Sequence, residues 1–352
     1  MTRLLTFSFI AVLSWVVTYG IRWGAERRQI LDVPNQRSSH SRPTPRGGGL
    51  AIVAITVCGL LMYGCFSPGQ WSVILSYSAG AVLIAVVSFF DDLRSLPNWL
   101  RLSAHGMSAI LAIVTFGAWN TVSLPVLGQL QLGWIGVPVT FFWIVGLTNA
   151  YNFMDGIDGI AGAQASVAGL GWAVLGTWTG QPLVSALGLL LAASSFGFLG
   201  HNWSPARIFM GDVGSAFLGY SFAVLTVVAA SRDPRLVLVG VLLVWPFLFD
   251  SSFTFLRRLS RGENVFAAHR SHLYQRLIIV GYPHRLVSSL YIGLAMAGVV
   301  LGAAYLTDVM AMQAATALFL PVFCLSLWAF VTRQERKHRP ASPIVVALGD
   351  RP

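Results

Sequence analysis

The chain has 352 residues, of which 55% are hydrophobic and only 10% charged, with a mean hydropathy of +0.69, whereas a soluble domain carries about 25% charge. An ordinary soluble globular protein is excluded. The formal charge of +10 would suggest nucleic acid as a partner of a soluble chain, but in a chain that lies mostly in lipid a basic excess marks orientation, so no nucleic-acid partner is expected.

A membrane-spanning helix needs about 20 apolar residues. Eleven stretches qualify, at about 4–21, 49–66, 72–90, 102–119, 134–150, 161–178, 183–200, 214–231, 236–256, 286–306 and 311–331. The first follows Arg3 but has no small-residue cleavage site, so it reads as a retained helix rather than a signal peptide. The sixth and seventh are rich in Gly and Ala, which lets helix backbones approach closely in a packed bundle. Cys58, Cys65 and Cys324 lie inside apolar runs and have no disulfide or metal spacing.

With eleven spans and the N-terminus outside, 20 Lys and Arg residues fall on one side and only Arg3, Arg232 and Arg235 on the other. The basic side is therefore expected to be cytoplasmic, with the C-terminus. Eleven of the 13 acids also belong to that side, leaving Asp233 and Asp308 outside. Positive-inside sorting does not account for these acids, because Asp and Glu contribute little to topology.

The external connection 120–133 alternates Val122, Leu124 and Val126 around Pro125 and Gly128, which predicts a small surface β-hairpin. The fold expected is thus an all-α integral membrane protein with one multi-span domain over 1–331 and a cytoplasmic basic tail over 332–352. Its chemistry is expected in the cytoplasmic loops.

The third span ends in Asp91-Asp92, adjacent carboxylates at a helix C-terminus where they oppose the macrodipole. Local stability does not favour them there, and a cation or phosphate chemistry would. The fifth span ends in Asn149 to Gly159, in which Asn149, Asn152 and Asp155 or Asp158 repeat at three. If helical, this segment puts carboxamides and carboxylates on one face at the membrane surface. Asp212, between Gly211 and Val213 at the start of the eighth span, suits either an N-cap or a hard-metal ligand. Oxygen donors from separate loops, with no clustered Cys or His, fit Mg²⁺ or Mn²⁺ rather than zinc.

Pro246 and Asp250 interrupt the ninth span, and the loop that follows carries Arg257, Arg258, Arg261, His269, Arg270, His272 and Arg276. Such a basic segment either contacts anionic lipid or binds phosphate. The first cytoplasmic loop combines arginines and hydroxyls with Gly47-Gly48-Gly49 before a helix, where backbone N–H groups could hold an anion.

Taken together and in order, these motifs resemble the polyprenyl-phosphate N-acetylhexosamine-1-phosphate transferase family, glycosyltransferase family 4. The resemblance runs from Pro43 to Arg276. It rests on Pro43-Thr44-Pro45-Arg46-Gly47-Gly48-Gly49, Asp91-Asp92 with Arg94, Asn149 to Gly159, Phe209 to Ser215, and Asp250 with the basic loop. It is nearest the branch that starts O-antigen and other surface polysaccharides. One departure is Tyr274 and Gln275, where relatives often carry histidines, so His272 is the histidine to which a role is assigned.

The resemblance implies transfer of a sugar 1-phosphate from a UDP-N-acetylhexosamine to undecaprenyl phosphate, with release of UMP, at the cytoplasmic face of a bacterial inner membrane. It implies Mg²⁺ or Mn²⁺ held principally by Asp212, assisted by Asn152 and by Asp155 or Asp92. Asp91 or Asp92 would position or deprotonate the acceptor phosphate, and Asp155 and Asp158 would order metal and nucleotide. His272, Arg270 and Arg46 would hold phosphates, and Thr44, Arg94, Asn149 and Asp250 would contribute to substrate binding. Direct attack and a covalent Asp intermediate both remain open, and packing through Gly-rich helices is compatible with a homodimer. A transporter or lipid flippase would place its polar site near the midplane rather than at one interface. An intramembrane prenyltransferase also uses Asp-rich motifs with Mg²⁺, but fits the ordered motifs less well.

Overall fold

A computed structural model describes residues 1–34, 42–265, 267, 269–307 and 309–338. Residues 35–41 of the first loop, Asp308, and residues 339–352 of the basic tail lie outside the described residues. Among the described residues, eleven helices are long and apolar enough to cross a membrane. In chain order they are α1 (Thr2–Arg27), α2 (Gly49–Phe66), α3 (Trp71–Arg94), α4 (Asn98–Phe116), α5 (Gly136–Phe153), α6 (Ile160–Trp178), α7 (Pro182–Asn202), α8 (Asp212–Ala230), α9 (Leu236–Ser260), then, after the short α10 (Leu273–Ile279), α11 (His284–Tyr305) and α12 (Met310–His338). The protein is an all-α multi-pass membrane protein, as its composition predicts. The last span differs at its end, because α12 continues to His338 and takes the start of the basic tail with it.

Helix α8 is the axis of the bundle. Every residue from Val213 to Val227 is buried, as expected of a helix that is apolar on all sides. Helices α2, α3, α5 and α9 pack around it. The Gly- and Ala-rich pair α6 and α7 approach so closely that a Cβ on Gly169 would lie 2.8 Å from the Gly188 carbonyl oxygen. Pro246 lies within α9 without ending it. The carbonyl of Leu243, next to the Leu242 carbonyl that Pro246 leaves without its helical donor, accepts from the buried Gln164 Nε2 at 2.8 Å.

Two small antiparallel ribbons mark opposite ends of the bundle. Strands β3 (Thr121–Leu124) and β4 (Gly128–Gln131) form the predicted hairpin, with Thr121 opposite Gln131. Ser123 donates its N–H to the Pro234 carbonyl at 3.3 Å, which fixes the hairpin at the C-terminal end of α8. At the other end, β1 (Leu31–Asp32) pairs with β2 (Thr44–Pro45). This ribbon has no counterpart in the sequence pattern, since two-residue strands carry no periodicity.

The triple glycine also has a different use from the one expected. Gly48 and Gly49 donate their N–H groups to the carbonyls of Phe209 and Met210, each at 2.9 Å, so those N–H groups do not face an anion. A Cβ on Gly49 would lie 2.3 Å from the Gly214 Cα. The glycines therefore let the start of α2 dock backbone to backbone on the start of α8, beside the acidic helix ends.

Candidate active site

The end of the bundle opposite the hairpin holds a cavity of about 560 Å³. Six carboxylates line it: Asp32, Asp91, Asp92, Asp155, Asp158 and Asp212. Two arginines, Arg46 and Arg101, and one histidine, His284, line it with them. Five of these acids are predicted site residues, brought together from the ends of α3, α5 and α8 and the loop before α6.

Asp92 lies at the C-terminal end of α3, but its carboxylate reaches the N-terminus of α8. It accepts the backbone N–H groups of Asp212 at 3.0 Å and Val213 at 3.2 Å. Gly211 makes room for it: its φ is +76°, and a Cβ there would lie 2.6 Å from Asp92 Oδ2. The capping role open to Asp212 thus belongs to Asp92. The Asp212 side chain is left to the cavity.

The arginines hold this acidic wall together. Arg101 Nη1 donates to Asp91 Oδ2 at 2.8 Å and lies 3.6 Å from Asp212 Oδ2. Asp91 also accepts the backbone N–H of Leu96. Arg46 Nη2 pairs with Asp32 Oδ1 at 3.1 Å, while its Nη1 donates to the Asp92 carbonyl at 2.8 Å. The β1–β2 ribbon therefore delivers an ion pair, Asp32 with Arg46, to the cavity rim.

Asp155 and Asp158 follow the end of α5 and have contrasting surroundings. Asp155 accepts no side-chain hydrogen bond among the described residues. Burial first, and then the carboxylates of Asp212, Asp92 and Asp158, push its pKa up to about 8. Burial also opposes charge on Asp158, but His284 and the Ala206 N–H outweigh it and hold Asp158 below the usual carboxylate range. His284 Nδ1 lies 3.3 Å from Asp158 Oδ1, and the Ala206 N–H donates to Oδ2 at 3.1 Å. Asn152 Nδ2 donates to Ser215 Oγ at 2.9 Å, and the same side chain hydrogen-bonds Asp212. Its amide nitrogen thus orients α8 and Asp212.

Several predicted site residues fall outside the cavity. Asp250 is fully buried and accepts five hydrogen bonds. They come from Thr254 Oγ1 (3.2 Å), His272 Nδ1 (3.2 Å), the backbone N–H groups of Leu273 (2.7 Å) and Tyr274 (3.1 Å), and Tyr291 O–H (2.6 Å). No lone pair remains for a substrate. His272 is 4% exposed and is the N-cap residue of α10, so Asp250, expected to contribute to substrate binding, and His272, expected to hold phosphate, are both tied to the start of that helix. Asn149 bonds His105 Nδ1 at 3.2 Å within the bundle. Thr44 is buried in β2, Arg94 is exposed at the end of α3, and Arg270 precedes α10; none of the three lines the cavity.

Sequence reading missed Asp32, Arg101, His284 and Gln275, all of which line the cavity. Arg101 carried a signal: a basic residue in the first turns of a helix opposes the macrodipole. His284 has the same position at the start of α11.

Residues 74–230 match the family described as Glycosyl transferase family 4. That segment contains Asp91, Asp92, Asn152, Asp155, Asp158 and Asp212. The chain is 34% identical over 291 residues to a probable undecaprenyl-phosphate N-acetylglucosaminyl 1-phosphate transferase of Bacillus subtilis, covering 81% of this chain and 80% of that protein. It is 29% identical over 327 residues to a decaprenyl-phosphate N-acetylglucosaminephosphotransferase of Mycobacterium tuberculosis, covering 82% and 79%. It is also 29% identical over 215 residues to a phospho-N-acetylmuramoyl-pentapeptide-transferase of Lacticaseibacillus paracasei, covering 57% and 66%. On this likeness, spread along most of the chain and with five of the six acids that line the cavity inside the matched segment, the protein belongs to glycosyl transferase family 4, the membrane enzymes that transfer a phospho-sugar to a polyprenyl phosphate.

Proposed function

We propose that the protein transfers N-acetylhexosamine 1-phosphate from a UDP-sugar to undecaprenyl phosphate and releases UMP, with Mg²⁺ or Mn²⁺ as cofactor. The reaction takes place at the cytoplasmic face of a bacterial inner membrane and starts a surface polysaccharide such as O-antigen. The observation that carries this reading is the gathering of six carboxylates with Arg46 and Arg101 in one cavity at one end of the bundle. A polyprenyl tail has to remain in lipid while its phosphate stays at the interface, so an interfacial cavity is where the two can meet. The 20-to-3 partition of basic residues supports the cytoplasmic assignment of that end.

The donor set suits a hard divalent cation. Among the described residues no three His, Cys, Asp or Glu side chains form a ready-made metal cage. Mg²⁺ does not need one, because it commonly takes one or two carboxylates and completes its octahedron with water and substrate phosphate oxygens. The Asp155 carboxylate, which accepts no side-chain hydrogen bond among the described residues and has three carboxylates near it, is the group whose charge a cation would relieve. Asp212 faces the same cavity, so these two would hold the ion, with Asn152 orienting Asp212. When bound, the cation neutralises the diphosphate and the charge that develops on the departing UMP.

In the transfer, an oxygen of the acceptor phosphate forms a bond to the phosphorus that carries the sugar. The bond from that phosphorus to the UMP oxygen breaks, and UMP leaves with the electron pair. The acceptor phosphate is largely ionised near neutral pH, so a general base is not required. That agrees with the engagement of Asp91 by Arg101 and of Asp92 by the α8 N-terminus. Arg101 and Arg46 supply positive charge beside the transferring phosphoryl group.

Purified protein with undecaprenyl phosphate, Mg²⁺ and a panel of UDP-sugars tests the reading. UMP should appear with a UDP-N-acetylhexosamine and only when the lipid is present. A sugar-phospho-enzyme trapped without lipid would replace direct attack by a covalent route, and solute uptake without UMP release would remove the transferase reading.

A further inference from the structure

A second large cavity lies on the other side of α10. It measures about 720 Å³ and lies between the C-terminal ends of α9 and α12. Helix α10 separates the two cavities, with Gln275 lining the acidic one and Arg276 the second. The chemistry is opposite: Arg257, Arg261, Arg276 and Arg336 line the second cavity, against a single carboxylate, Glu335.

These arginines are not all satisfied. Arg276 is 7% exposed. Its Nε and Nη2 are held by Glu335, the former at 2.6 Å, but its Nη1 is buried and has no hydrogen-bond partner among the described residues. The Nε of Arg257 and the hydroxyl of Thr332, both from residues lining the same cavity, are also buried without partners among the described residues. A buried guanidinium N–H that lacks an acceptor is costly, and two such nitrogens with a hydroxyl around one space call for an anion with several oxygens. The planar fork of arginine matches phosphate in particular.

The rim shows how that phosphate is presented. Trp328 and Ile279 line the cavity and are 41% and 61% exposed. Leu325, one turn before Trp328 on α12, is 61% exposed, and Leu256 and Leu259 on α9 are 61% and 55% exposed. Tryptophan beside exposed aliphatic side chains at the end of a span is typical of the lipid–water interface.

We propose that this cavity is a binding site for the phosphate headgroup of an anionic membrane lipid, distinct from the acidic cavity. The headgroup phosphate accepts from Arg276 Nη1 and Arg257 Nε, while its acyl chains lie along the exposed faces of α9 and α12. A free phosphate ion would meet the same donors but gain nothing from the apolar rim. The site does not depend on the transferase reading, since it uses none of the residues assigned to transfer.

The test uses the full-length protein in detergent, with lipid retention measured by native mass spectrometry after incubation with phosphatidylglycerol or phosphatidylcholine, and with inorganic phosphate as competitor. Phosphatidylglycerol should be retained over phosphatidylcholine. The double variant Arg257→Gln/Arg336→Gln should lose about tenfold or more in retention, since each basic charge at a membrane surface contributes about fivefold. Glu335→Gln should move the other way and strengthen retention, because it removes the competing carboxylate from Arg276, an outcome that misfolding cannot mimic. Equal retention of the two lipids, or insensitivity to both variants, overturns the proposal. Displacement of the lipid by millimolar inorganic phosphate overturns the lipid source.

Discussion

The carboxylate of Asp92, at the end of one spanning helix, caps the N-terminus of another by accepting the backbone N–H of Asp212 at 3.0 Å. Two acids that look alike in sequence and line the same cavity therefore have separate tasks: Asp92 caps α8, and the Asp212 side chain is left without a capping role. Removing the Asp92 acceptor leaves two N–H groups at the start of α8 without a partner, a loss of about 1–2 kcal/mol. Asp92→Ala should lower thermal stability in detergent, whereas Asp212→Ala should leave it unchanged or raise it, because a like charge is removed. The reverse order would contradict the division of roles.

Asp155 predicts a specific pH dependence. Its pKa is pushed up to about 8 by burial and by neighbouring carboxylates, so between the ordinary carboxylate range and pH 8 the folded state binds a proton that the unfolded state has released. Stability from this group is full at low pH and is lost as pH rises through about 8. The metal-free protein should therefore lose stability as pH rises over that window. Added Mg²⁺ should oppose the loss, bind more tightly at higher pH and release protons on binding. Thermal unfolding at several pH values checks this, and Asp155→Asn should flatten the slope.

Asp250 and His272 form a structural pair, and their substitution should reveal it. Asp250→Ala leaves five donors without their acceptor, four of them on or beside α10 and α11. It should cost about 3–5 kcal/mol, as expected for breaking a buried charged network. Unfolding measurements should show activity and stability falling together. Lost activity at unchanged stability would return Asp250 to the substrate.

Arg101 is expected to act on substrate. Its guanidinium links Asp91 to Asp212, and a charge-assisted hydrogen bond contributes about 1.5–3 kcal/mol. Arg101→Gln should lower kcat/KM for transfer about 10- to 100-fold in protein that remains folded, together with a lower unfolding temperature, because the buried Asp91 loses its cation.

Much of the fold was legible because lipid imposes a strong rule: each span has to be long and apolar, and the eleven runs met it. The hairpin was legible from its alternation around Pro125 and Gly128. The acids at the ends of α3, α5 and α8 stood out because nothing else explains carboxylates embedded in apolar sequence. What remained hidden depends on tertiary partners. Asp92 could not be recognised as a cap for a helix 120 residues later, and neither the five donors to Asp250 nor its pairing with His272 is encoded in any local pattern. Asp32 was one acid among many arginines, and Arg101 was absorbed into the charge partition. The triple glycine suggested an anion cradle, but its N–H groups meet carbonyls across the α2–α8 contact, which no local pattern encodes.

The central claim, that the Asp155–Asp212 cavity carries out metal-dependent phospho-sugar transfer, is tested most directly by the rate of UMP release. Wild-type protein and Asp212→Ala are supplied with undecaprenyl phosphate and UDP-N-acetylglucosamine, or the UDP-N-acetylhexosamine that the panel selects, each with Mg²⁺ or with EDTA. The account predicts release by the wild type with Mg²⁺, none with EDTA, and loss of at least 100-fold in a folded Asp212→Ala, on the order of 3 kcal/mol of transition-state stabilisation. Release at the wild-type rate from Asp212→Ala, or from wild type in EDTA, would contradict it.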